Sequence, residues 1–153
     1  MWLQTRKPQP PVVVALRLLF SLTFLTLFSS ALWAQEARYM AQLHAHTPQE
    51  LASLLNRAEA WAQSSSAYPE HPIAIVLHGN EANVFIKNNY SKYQSLVDQA
   101  AKLDAFKVVD IKICETWMGF NEVQSNELPP FLDTVPFGPD EERRLIKAGY
   151  QSF

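Results

Sequence analysis

One cysteine, four glycines and no surplus of positive charge are what this chain of 153 residues has least of, and each shortage removes a class of function. With a single thiol, no disulfide can form within the chain. The glycines build neither a phosphate-cradling loop nor a nucleophile elbow, which argues against nucleotide binding and acyl-transfer hydrolysis. Thirteen basic residues stand against 15 acidic ones, and the ten from Arg38 to Lys147 are thinly scattered, which leaves no basic face for DNA or RNA. No internal repeat and no low-complexity linker interrupts the chain.

What is there begins with an export pattern. Arg6, Lys7 and Arg17 supply positive charge, "LLFSLTFLTLF" (18–28) an apolar core, and "SSALWA" small residues before Gln35. The pattern predicts a signal peptide over 1–34, cleaved after Ala34 or alternatively near Ala31, with a periplasmic mature chain. An uncleaved anchor over Val12 to Ala34 is the alternative, the only membrane association the sequence suggests, although Arg17 would then lie inside the span. Removing residues 1–34 from 153 leaves 119, enough for one domain over 35–153. The segment carries three of the 13 basic residues and none of the acidic ones, so ten against 15 leaves a net charge of −5. In an oxidising compartment, a leftover thiol points to a reactive group, an intermolecular bond or a buried residue.

"RYMAQLH" (38–44) alternates like a strand. "TPQE" marks a helix start, with Thr47 as cap and Glu50 reaching back, and Leu51, Leu54, Leu55, Ala58 and Trp61 form its stripe. "IAIVLHG" (73–79) reads as a strand covered on both faces. A second helix follows in "SKYQSLVDQAAKLDAF", with Ser91 and Gln94 as a capping pair, and delivers the chain to the strand "VVDIKIC". A short strand is expected near Thr134 and Val135. The last helix, in "PDEERRLIKAG", carries acid first and base last, with Gly149 as its left-handed stop, and "YQSF" would be a closing strand. This alternation predicts an α/β fold, a three-layer sandwich on a mostly parallel sheet of about five strands. In such sheets ligands gather at the carboxyl ends of the strands, where His44, His78 with Gly79, and Cys114 all fall.

From Ile73 to Phe153, and more weakly from Arg38, the chain resembles the DsrE/DsrF-like sulfur-relay family in its exported single-domain branch. The likeness rests on the strand ending in His78-Gly79, the cysteine ending the third strand, and the tail "VPFG…L…GY". It implies a parallel flavodoxin-like topology, a homo- or hetero-oligomer and sulfur carried as a persulfide on Cys114, with a sulfur donor or acceptor protein as partner. Glu115, Thr116 and Trp117 stand where many relatives have small residues.

A sulfur-carrying thiol must ionise readily and be reachable. Amides of a turn in "TWMGF" would favour the thiolate, whereas Glu115 would oppose it. On that reading Cys114 should be partly accessible and should react below the pH at which an ordinary cysteine, of pKa about 8.5, falls silent. The bland reading makes Cys114 a small hydrophobe beside Ile113. His78 offers either a strand-end hydrogen bond or acid–base work. "HAH" on an extended segment would aim His44 and His46 to one face, and His78 could complete a metal site, the minor alternative. No cofactor is expected. Trp117, Phe120 and Phe131 should form a self-association surface. The expectation is therefore an exported sulfur-handling protein with Cys114 and His78 as its working residues and at most sulfurtransferase-like activity. The alternative is a non-catalytic oligomeric binding module in which Cys114 is structural.

Overall fold

Five consecutive apolar residues, Ile73 to Leu77, offer water no polar side, so this stretch can only be covered on both faces. The computed structural model places it at the centre of a five-stranded sheet, with all five residues buried. Residues 37–64 and 70–153 are described. The expected signal peptide and its cleavage site lie outside them.

The elements run β1 (Tyr39–Ala41), α1 (Pro48–Ser64), β2 (Ile73–Leu77), 3₁₀ turns at Asn80–Phe85 and Lys87–Asn89, α2 (Tyr90–Ala105), β3 (Val109–Cys114), α3 (Glu115–Phe120), a 3₁₀ turn at Ser125–Glu127, β4 (Asp133–Val135), α4 (Gly138–Lys147) and β5 (Gln151–Ser152). The strands lie in the order β4-β3-β2-β1-β5, and every pairing is parallel. The expected α/β class is what forms. The strand order departs from the 2-1-3-4-5 of flavodoxin, because the three crossovers after β1 all step the same way and only the last turns back.

That route makes the two helical layers unequal. Ile73, Ile75, Leu77, Ile111 and Ile113 pack against Leu51, Leu54, Leu55 and Ala58 of α1 and against Val97, Ala100 and Leu103 of α2. Each such aliphatic side chain, when fully buried, contributes about 1.5–3 kcal/mol. Among the described residues, the opposite face gathers the smaller set Met40, Ala74, Val76, Val135 and Leu145, the last from α4, with Tyr150 packed against them. Lys112, in register with Val76, crosses to Glu141 of α4 at 3.8 Å.

Two helix ends show the local rules at work. Thr47 Oγ1 accepts the Glu50 amide at 3.2 Å. At the end of α4, Gly149 takes φ +86, with Tyr150 N–H donating to Leu145 O and Gly149 N–H to Ile146 O, the two bonds of a Schellman stop. The expected Ser91/Gln94 cap of α2 does not form. The 3₁₀ turns already deliver Asn89 in the right-handed helical region, so α2 starts at Tyr90 without a side-chain cap. At the far edge Tyr39, Trp61 and Phe153 meet edge to face at 5.6–6.2 Å, holding the closing strand β5. Among the described residues, no helix is long and apolar enough to cross a membrane.

Candidate functional site

The carboxyl ends of β1, β2 and β3 converge, and the chain spends polar groups and backbone strain there. After β1, the Glu50 carboxylate accepts three successive amides, from His44 at 2.8 Å and from Ala45 and His46 at 2.9 Å. Burial pushes the Glu50 carboxyl up, but these amides outweigh it, and His44 adds attraction, so the group sits below its ordinary value. The wrapped turn forces His46 to φ +50. A left-handed conformation at a residue other than glycine costs on the order of 1–3 kcal/mol.

After β2, a second carboxylate gathers the same neighbourhood. Glu81 is 0% exposed, and its Oε1 accepts the amides of His78 at 3.0 Å and Gly79 at 2.9 Å. The same oxygen lies 3.3 Å from His46 Nδ1. Glu81 Oε2 is buried and has no hydrogen-bond partner among the described residues. A Cβ on Gly79 would lie 2.5 Å from His46 Cβ and 2.7 Å from Glu81 Oε2, so only glycine lets these side chains close over the turn. The imidazoles of His46 and His78 consequently stand 4.5 Å apart, centre to centre.

The thiol belongs to the same edge. Cys114 ends β3 in register with Val135, and its Sγ accepts the Gly138 amide at 3.2 Å. Gly138 is the first residue of α4, so this amide is one of the donors that a helix start leaves without an intrahelical partner. A Cβ on Gly138 would lie 3.0 Å from Cβ and Cδ2 of His78. Thiol and imidazole therefore both abut one glycine. From α4, Glu142 Oε1 lies 3.6 Å from His78 Nε2, while its Oε2 accepts from Gln42 at 3.4 Å.

Cys114 is 2% exposed rather than partly accessible, because α4 seats its first residue on the sulfur. The amide bound to Sγ comes from Gly138 and not from the turn after the cysteine, where the Thr116 amide and hydroxyl both go to Pro136 O. Glu115 is exposed and accepts the Thr134 hydroxyl at 2.7 Å. "HAH" is not extended: the left-handed His46 breaks the alternation, leaving His44 exposed while His46 meets His78. Among the described residues, no three histidine, cysteine or acidic side chains are placed to hold a metal ion. Of the three aromatics expected on a shared surface, Trp117 is buried and Phe131 packs on Phe85, which leaves Phe120 at 86% exposed.

Sequence reasoning found His78 and Cys114, and missed Glu81, Glu142 and Gly138. Glu81 could have been suspected, since "EANVF" sets an acid before Ala82, Val84 and Phe85 at core spacing. Chemically, the site offers an amide donor to a sulfur anion, two imidazoles, and a carboxylate beside each of them.

No protein-family profile and no curated protein matches the chain. Among solved structures, a protein of unknown function, MTH1491 from Methanobacterium thermoautotrophicum, superposes with a TM-score of 0.56 at 14% identity, covering 76% of this chain and 95% of that one. At that identity the likeness speaks for the fold.

Proposed function

We propose that this chain is an exported sulfur-handling accessory protein of the DsrE/DsrF-like kind, in which Cys114 accepts and carries a persulfide. The observation that carries the reading is the Cys114 sulfur, at the carboxyl end of a central parallel strand, receiving the first amide of α4. A helix-start donor favours a sulfur anion, and the same glycine touches His78. Partners would be a sulfur donor or acceptor protein and further copies of the chain, with the exposed Phe120 as a contact. Because the sulfur is covered, loading requires the segment from Pro136 to Gly138 to lift from it.

The test is intact-mass measurement of folded protein after exposure to a small-molecule persulfide. Wild type should gain the mass of one sulfur atom, and Cys114→Ala none. The second reading, a binding module with a structural Cys114, is favoured by the burial of the thiol. It predicts no gain in either protein.

A further inference from the structure

We propose that His46 and His78 work as an imidazole pair beside Cys114, with Glu81 as the residue that sets the pair. The proposal rests on the sulfur-handling reading and deepens it. His46 acts through His78, and Glu81 through both, so each is a positioning residue.

Three independent features of the edge converge on the pair. His46 is held in a left-handed conformation by two separate carboxylates, Glu50 on its backbone amide and Glu81 on its ring, although its side chain is 32% exposed and fills no core position. Glu81 is buried outright with one oxygen serving three donors and, among the described residues, the other serving none; the two turn amides need an acceptor, but not a second buried oxygen left without a donor. Gly79 and Gly138 each clear the room for close approach, the first for His46 and Glu81, the second for His78 beside the sulfur. Strain and unpaired buried polar groups of this sort concentrate at working sites.

The chemistry requires a proton to be moved. In loading, the Cys114 thiolate attacks the outer sulfur of a low-molecular-weight persulfide, R–S–SH. A new S–S bond forms at Sγ, the donor's S–S bond breaks, and its electron pair leaves with the thiolate RS⁻. The proton given up by Cys114 is the one RS⁻ must take. Cys114–SH and R–S–SH thus become Cys114–S–SH and R–SH without oxidant or reductant. His78 is the group placed to hold that proton between the two events, and His46, partly open to water, links it to solvent. The groups facing the pair are Glu81 and the Glu50-bound turn at His46, and Glu142 at His78, with Gly138 packed against His78 and donating its amide to Cys114 Sγ.

The test uses His46→Gly, because glycine accepts the left-handed backbone and removes only the ring. Sulfur uptake from the small persulfide, and iodoacetamide alkylation of the folded protein, are followed across pH in wild type, His46→Gly, Glu81→Gln and Cys114→Ala. His46→Gly should stay folded, slow both reactions by about tenfold to a hundredfold, and change the pH profile. Added imidazole should restore part of the rate, which a structural role would not allow. Glu81→Gln, which retains an acceptor for the two turn amides, should fold and show a smaller loss with the same altered profile. Wild-type rates and profile in His46→Gly would overturn the pair while leaving the sulfur reading intact. A wild type that is alkylated with a His46-dependent profile but takes up no sulfur would sink the sulfur reading and keep the pair. Resistance to both reagents in the folded wild type would overturn both.

Discussion

The face of the sheet under α1 and α2 and the carboxyl edge above β1, β2 and β3 are built from the same strands on opposite terms. The first buries aliphatic side chains of the strands against those of two helices, in a cluster that extends as far as Cys114. The second holds a left-handed histidine, a buried carboxylate with one oxygen unpartnered among the described residues, and two glycines against which a methyl group would press. The difference shows where stability is made and where it is given up. A few kilocalories lost at the edge matter because the whole domain rests on a margin of roughly 5–15 kcal/mol.

The largest expected effect breaks the apolar side of this comparison. Leu55→Ala, at a fully buried position of α1, should cost about 2–5 kcal/mol in urea unfolding. It should leave the rate of Cys114 modification in the folded protein unchanged. A change in that rate would mean that the two regions are not separable. Gly79→Ala comes next, at about 1–3 kcal/mol, because its methyl group would overlap His46 and Glu81 Oε2. Unlike the core variant, it should also displace the imidazole pair, visible as shifted ring resonances of His46 and His78 in NMR spectra. Ring resonances that stay in place would deny the close approach.

How much of this was legible in the sequence follows from range. Thr47 and Pro48 at one helix start, and Gly149 at another's stop, act within a turn, and their spacing announced those caps, whereas the Glu50 carboxylate reaches past Thr47 to the amides of His44, Ala45 and His46. Ile73 to Leu77 announced the central strand because no polar residue interrupts it. Ser91 and Gln94 had an equally good cap pattern, yet the preceding 3₁₀ turns had already set the backbone. The site was half legible for the same reason. His78 and Cys114 could be placed at strand ends, whereas the amide on the sulfur comes from Gly138, 24 residues further on, and nothing local joins Glu81 to His46 across 35 residues. The burial of Cys114 was one of two readings the sequence left open, since it depends on where α4 begins to cover the edge.

Acid sharpens the comparison with the smallest effect. Glu50 has its carboxyl depressed in the folded state, so it adds stability at pH values above its ordinary value of 4.5, and that stability is lost as pH falls through the depressed value. Glu50→Gln should therefore show a flatter decline of stability below about pH 4.5. The gap between wild type and variant should shrink on acidification in thermal melts. A constant gap would mean that the three amides do not favour the anion.

The most direct measurement asks whether the buried sulfur can be reached without unfolding the domain. Labelling of Cys114 by a small thiol reagent is followed at low urea concentrations, well below the unfolding transition, and the opening free energy it reports is set beside that of global unfolding. A carrier thiol released by lifting the start of α4 should open locally, with a free energy well below the global value and little dependence on urea. Equality of the two free energies, with the same urea dependence, would make Cys114 a core residue and contradict the sulfur-carrying account.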